Sequence, residues 1–182
     1  LSHGYFLVDD LKEQAIMKPY PPLGLLYLAA WLDLHGVENE VFDTTFATKE
    51  QLQQHLLDTK PPVLALYVNL MTKLNVLEIA RFVRSQETLK NTLIVFGGPD
   101  VTHNLADYLS HGADLLVLGE GEQTMLEIAL TLETRFSPEH GLQEFAHIPG
   151  LAYLQADGLV IKTAAREKIR DLDMLPFPAR QK

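Results

Sequence analysis

"PPVLALYVNLMTKLNVLEIARFVRSQETLKNTLIVFGGP", residues 61–99, decides the fold. Its first ten residues are a continuous apolar run of strand length, the composition expected when both faces of a sheet are covered. From Lys73 the period changes: Leu74, Leu77, Ala80 and Val83 or Arg84 recur at helical spacing and predict a surface helix with that stripe on one side. From Asn91 a second buried strand follows and ends on the pair Gly97-Gly98. Strand, helix and strand in this order make a βαβ unit, whose strands run parallel.

The alternation continues in both directions. Upstream, "YFLVDD" (5–10) is a first strand or the loop after one, and Pro21 to His35 is a helix stopped by Gly36. "NEVFDTT" from Asn39 reads as a strand, and "TKEQLQQHLLDTK" as an amphipathic helix capped by Thr48. Downstream, "THNLADYLSHG" is a short helix with Thr102 as cap and Gly112 as stop. "ADLLVLGEGE" from Ala113 is a further strand with a glycine-rich exit, and "EQTMLEIALTLET" from Glu122 is the last core helix. Five strand slots separated by helices predict an α/β fold with a doubly wound, parallel five-stranded sheet of Rossmann-like or flavodoxin-like type. This unit covers residues 1–136. Residues 137–182 break the pattern: "SPEHG" is a loop, two short strands flank an Asp157-Gly158 hairpin turn, and "REKIRDLDMLPFPARQK" is an extended arm.

Composition excludes several functions. A formal charge of −9 with scattered Lys and Arg argues against nucleic-acid binding. The absence of cysteine removes disulfides, thiolate metal sites and iron–sulfur ligation from this chain and suits a cytoplasmic protein. "YPPLGLLYLAAWLDLHG" (20–36) is the most apolar helix, but it is shorter than a membrane span and is closed by Asp33 and His35. The seven histidines form no pair at a spacing of four, so no metal site is expected and most should be solvated. No serine sits in a G-x-S-x-G elbow and no G-x-G-x-x-G follows a strand, "GEGEQT" being the nearest approach. In such sheets ligands bind at the carboxyl ends of the strands. Three segments meet there: Asn69, Leu70, Met71 and Thr72; Gly97, Gly98, Pro99 and Asp100; and Gly119, Glu120, Gly121 and Glu122. Their glycines either admit a ligand close to the backbone or simply make tight turns. The two carboxylates make the third segment a poor phosphate cradle.

"KPYPPLGLLYLAAWLDLHG", "FGGPDVT", "LGEGEQTMLEI", "IPGLAY" and "DLDMLPFPAR" follow one another in an order that resembles the N-terminal region of cobalamin-dependent radical SAM enzymes, in the branch of the anaerobic magnesium-protoporphyrin monomethyl ester oxidative cyclases. The resemblance implies a cobalamin-binding domain, a hairpin, and an arm leading to a radical SAM barrel absent from this chain. That barrel would hold the S-adenosylmethionine and the 4Fe-4S cluster and act on a small molecule, by methyl transfer or by oxidative cyclisation, the cyclase branch implying a tetrapyrrole; the fragment should not catalyse alone. The histidine-ligated pattern D-x-H-x-x-G is missing. Leu70 and Gly97-Gly98 fit its later elements, but Val68 replaces the serine, and "DLHGVE" carries Glu38 where glycine is required, so His35 is discounted. Cobalamin would then be base-off with no histidine ligand, its lower face on the Tyr5–Tyr20 loop. Its tail and corrin edge would touch Asn69, Leu70, Thr72, Gly97, Gly98, Pro99, Gly119, Glu120 and Gly121, and a leucine at 98 should block uptake by steric obstruction.

The same reading accounts for the apolar helix: the stripe including Leu25, Tyr27, Leu28, Trp31 and Leu32 would be covered by the first-strand loop or the barrel, unless it is simply a core helix. Isolated copies are expected to pair through the Trp31 helix or the Leu175–Pro178 arm, with the chain beyond Asp173 poorly ordered for want of apolar anchors. Two other classes compete. A flavodoxin-like or receiver-like regulatory domain would use the same sheet without cobalamin, but a receiver needs acidic residues where Asn69 and Thr72 stand. A free-standing enzyme lacks a nucleophile and base pair.

Overall fold

The βαβ unit forms as its sequence predicts, in a computed structural model that describes residues 1–9, 14–15, 19–134 and 141–182. Strand β1 (Val63–Tyr67) lies parallel to β2 (Leu93–Gly97), with Val63 opposite Leu93 and Tyr67 opposite Gly97, and β3 (Leu115–Val117) adds in parallel beyond β2. The helices are α1 (Leu23–Leu34), α2 (Lys49–Thr59), α3 (Lys73–Ser85), α4 (Leu105–Ser110) and α5 (Glu122–Thr134). The hairpin strands β4 (Leu151–Leu154) and β5 (Val160–Lys162) then join the same sheet in antiparallel fashion, in the order β1-β2-β3-β4-β5.

The α/β class is as expected, but the five-stranded sheet is mixed, and only three of its strands are parallel. The first two expected slots do not mature. Ser2 makes one parallel bridge to β1, its N–H donating to Ala65 and its carbonyl accepting from Tyr67, both at 2.9 Å. Gly4, at φ +68°, then turns the chain away, and a Cβ there would lie 3.0 Å from Val76. The described part of "YFLVDD", residues 5–9, is therefore the loop after the strand, with Phe6 and Leu7 buried. The second slot is tied to the N-terminal residues, with Phe42 N–H donating to the Leu1 carbonyl at 2.9 Å and the Leu1 amino group and Ser2 hydroxyl donating to the Glu40 and Phe42 carbonyls at 2.8 Å, before Asp43 caps a tight turn over Thr44–Phe46. The hairpin takes the place the sequence assigned elsewhere because β3 would otherwise present a bare edge. Its turn is as read: Gly158 has φ +83° and the Asp157 carboxylate accepts from Leu159 N–H.

Side chains alternate across the sheet. Leu64, Leu66, Ile94, Phe96 and Leu116 pack with Leu52 and Leu56 of α2, Val76 and Ile79 of α3, and Tyr108 of α4. Ala65, Val95, Leu115 and Val117 pack on the other face with Met125 and Ile128 of α5 and with Phe145 and Ile148. Each large side chain so buried contributes about 1.5–3 kcal/mol, which is why the central strands read as unbroken apolar runs.

Helix ends follow local chemistry. Thr48 and Gln51 form a reciprocal capping box at α2. Gly36, at φ +74°, closes α1 in a Schellman arrangement, with Gly36 N–H on Asp33 and Val37 N–H on Leu32. Two expectations need correction. The buried face of α3 is Val76, Ile79, Ala80 and Val83, while Leu74 is 78% exposed, because α3 begins at the open carboxyl edge of the sheet, where its first turn has nothing to lie on. Asn104, and not Thr102, precedes α4, since Val101–His103 form a separate tight turn.

The arm is also anchored more firmly than its sequence suggests. Ala179 is buried among Leu25, Leu26, Ala29, Ala30 and Val41, and its N–H donates to Leu26 at 3.0 Å. Lys182 Nζ reaches Asp33 Oδ1 at 2.7 Å and Asn39 at 2.8 and 2.9 Å. The outer stripe of α1 is thus covered partly by the chain's own arm, which supplies the cover expected from a barrel. A helical stripe cannot name its cover, because any apolar surface at the right distance serves. The boundary expected at 136/137 falls outside the described residues, as do Ser137, His140 and much of the Tyr5–Tyr20 loop.

Candidate functional site

Two connected cavities lie at the carboxyl ends of β1, β2 and β3. The inner one, about 230 Å³, is a slot between the sheet and the start of α1. Ala65, Val95, Val117, Leu25, Leu28 and Met125 give it apolar walls, and the backbones of Gly97, Gly98, Gly119, Glu120 and Gly121 close its rim. The outer one, about 310 Å³, is a wider mouth lined by His3, Tyr5, Tyr20, Thr45, Asn69, Met71 and Thr72. Gly24, Leu25 and Tyr67 border both.

Seven of the nine residues expected to hold the ligand border these cavities. Leu70, 81% exposed, and Pro99, also exposed, border neither. Several of the seven already have local work. Asn69 Oδ1 accepts from the N–H groups of Met71 and Thr72, both at 2.9 Å, and Thr72 Oγ1 accepts from Asn69 N–H at 3.1 Å. This reciprocal turn sets the start of α3 and leaves Asn69 Nδ2 as the donor it can offer. Glu120 Oε2 accepts from Ile169 N–H of the arm at 2.6 Å.

The two glycine turns differ in cause. Gly98 has φ +111°, and a Cβ on it would lie 2.4 Å from the Val68 carbonyl oxygen. Backbone packing demands glycine there, so the expected blockade by leucine at 98 would be preceded by damage to the sheet. Gly119, at φ +91°, faces open space. Gly24 also has nothing within 4 Å of a built Cβ, without a positive φ, so helix backbone is open to close approach there at no conformational cost. The first turn is braced by Asp100, whose carboxylate accepts from the Tyr108 hydroxyl and lies 3.6 Å from Lys73 Nζ. The hydroxyl and the lysine hold Asp100 below the usual carboxylate range, while burial and that carboxylate push the Tyr108 phenol up.

His3 is the histidine that sequence reasoning passed over. It is 6% exposed and lines the mouth. Tyr5 N–H donates to Nδ1 at 3.2 Å, so the neutral ring carries its proton on Nε2, which donates to Asp43 Oδ1 at 2.8 Å. Thr44 Oγ1 lies 3.2 Å from Nδ1. Burial would raise the Asp43 pKa, but the hydrogen bonds from His3 and Thr45 outweigh it and hold the group at about 2. Neither ring nitrogen is left with a free lone pair. A lone histidine in an N-terminal "LSHGY" carries no sequence signal of this, because Asp43 comes 40 residues later. Among the described residues, no group of three or more His, Cys, Asp or Glu could hold a metal ion, and no helix is long and apolar enough to cross a membrane.

A three-layer domain whose carboxyl edge opens into an apolar slot rimmed by glycine backbone is a Rossmann-like domain with its cleft where such sheets bind ligands. The chain belongs to the B12-binding domain family, which matches residues 16–129. It is 27% identical over 165 residues to the anaerobic magnesium-protoporphyrin IX monomethyl ester cyclase of Rubrivivax gelatinosus, covering 86% of this chain and 28% of that protein. Its fold matches the cobalamin-dependent S-adenosylmethionine radical enzyme OxsB with aqua-cobalamin bound, with a TM-score of 0.78 and 21% identity over 92% of this chain and 23% of that one. It also matches the radical S-adenosylmethionine methyltransferase TsrM from Kitasatospora setae with cobalamin and a [4Fe-4S] cluster bound, with a TM-score of 0.64 and 21% identity over 88% of this chain and 29% of that one. The chain spans about a quarter of the length of these relatives. The family match disfavours a flavodoxin-like or receiver-like domain without cobalamin.

Proposed function

We propose that this chain is the cobalamin-binding module of a radical SAM enzyme, in which the slot and the mouth together would hold the cofactor. The observation that carries this reading is the slot itself: an apolar cleft of about 230 Å³, roofed at Gly24 by helix backbone and opening into a wider mouth. When bound, cobalamin supplies a cobalt centre that carries a methyl group or electrons to a neighbouring site. The chain's own residues bind and orient it. Gly97, Gly98, Gly119 and Gly121 offer close backbone approach, Asn69 and Thr72 would face the corrin edge, and Glu120 completes the rim, whereas Leu70 and Pro99 stand outside both cavities.

His3 would offer the cofactor no free nitrogen, because both of its ring nitrogens are engaged, and it serves instead to position Tyr5. S-adenosylmethionine and the 4Fe-4S cluster belong to another domain, since a chain without cysteine supplies no thiolate ligands. The arm leads toward that domain. The substrate is a small molecule, a tetrapyrrole if the cyclase likeness extends to activity. Of the two surfaces expected to pair isolated copies, Phe177 on the arm, 95% exposed, is the stronger, because Trp31 is partly buried.

Gly24→Phe tests the reading. The wild-type chain, mixed with hydroxocobalamin and passed over gel filtration, should retain the corrin spectrum. The variant should lose it while melting no lower than wild type, because a glycine leaves a helix turn. Retention of the spectrum by Gly24→Phe would put the ligand elsewhere.

A further inference from the structure

The turn Gly119–Gly121 is a thin partition. Its inner side rims the slot, and its outer side borders a groove of about 360 Å³ formed with Arg166, Ile169 and Arg170 of the arm. Glu120 borders both spaces, and its carboxylate holds Ile169 N–H at 2.6 Å. Nearby, Arg166 Nε donates to Thr124 Oγ1 at 2.7 Å, its guanidinium pairs with Glu127, and the Thr124 hydroxyl donates to the Glu120 carbonyl. The arm is pressed close here: a Cβ on Gly150 would lie 3.1 Å from the Leu118 carbonyl and 3.2 Å from Arg166 Cβ. Toward the slot, by contrast, Gly119 meets nothing within 4 Å. The turn is tied on the arm's side; on the slot side Leu28 and Val117 back it at Gly121, and Gly119 is left open.

We infer that Glu120 is a positioning residue that couples the slot to the arm, so that the segment 166–171 is ordered by filling the slot. This rests on the reading that the slot takes cobalamin. A group seated against Gly119 braces the open end of the turn, fixes the Glu120 carboxylate and tightens its grip on Ile169. The arm runs on from there toward Phe177, so the module signals its loaded state along its own backbone. A carboxylate that merely stapled the arm would hold Ile169 equally with the slot empty or filled.

Hydrogen exchange at the Ile169 amide, measured on the full chain with and without saturating hydroxocobalamin, separates the two. Occupancy is read independently from the visible spectrum. Loading should slow exchange at Ile169 by about fivefold or more, the response to a coupling of about 1 kcal/mol. Glu120→Ala should abolish both the resting protection and the response to ligand, and Glu120→Gln, which keeps an acceptor oxygen, should restore most of both. A wild-type chain that carries cobalamin yet shows unchanged exchange at Ile169 overturns the coupling and leaves the slot reading intact. So does a Glu120→Ala variant that still responds. A wild-type chain that takes up no cobalamin overturns the slot reading, and the coupling with it.

Discussion

The turns after β2 and β3 look alike in sequence, each a strand running into paired glycines and an acid, and they are built for different reasons. In "FGGPD" the second glycine is demanded from within, by the Val68 backbone 2.4 Å from where a Cβ would stand. In "LGEGE" the first glycine meets no neighbour, and the turn is held from behind by its own Glu120 carboxylate, which accepts from Ile169 N–H of the arm. One glycine is there for the fold. The other leaves room beside the slot. A glycine motif therefore does not announce a ligand; what stands within 4 Å of its absent side chain does.

The largest expected effect separates the two turns directly. Gly98→Ala should destabilise the chain by at least about 3 kcal/mol, from strained backbone and a forced shift at Val68, and lower the thermal midpoint by roughly 6 °C or more. Gly119→Ala should cost only the left-handed backbone penalty, about 1–2 kcal/mol. Equal losses in a calorimetric melt would erase the distinction.

A smaller effect sets the mouth against the slot. Asp43 has a folded pKa of about 2, below its ordinary 3.8, so its stabilisation is complete above pH 4 and lost as the pH falls from about 4 to about 2. The loss is at most about 2 kcal/mol, and His3→Ala should remove most of that dependence by lifting the Asp43 pKa. Urea midpoints across that range measure it, and an unchanged slope in His3→Ala would dissolve the pair's role.

The smallest effect probes the arm behind the second turn. Lys182→Ala removes contacts to Asp33 and Asn39 that are partly open to water, and should cost less than about 1 kcal/mol, shrinking further in high salt. Exchange at Ala179 N–H should rise while amides near Gly98 stay protected. A parallel rise at both turns would mean that they are braced by one structure after all.

Much of this molecule was legible in its sequence because the relevant physics is local. Unbroken apolar runs, helical periods, the Thr48 cap, the Gly36 stop and the Asp157-Gly158 turn each depend on residues a few positions apart. The order of five short motifs also carried the B12-binding family. What only the tertiary structure decided depends on contacts between distant segments. Ser2 pairs with β1, the hairpin fills the edge of β3, and His3 meets Asp43 across 40 residues. Glu120 meets Ile169 across 49, turning an expected ligand contact into the anchor of the arm. Sequence patterns report which surfaces must be covered and which turns the backbone needs. The choice of cover is a competition among all surfaces of the folded chain, settled only when the elements have packed.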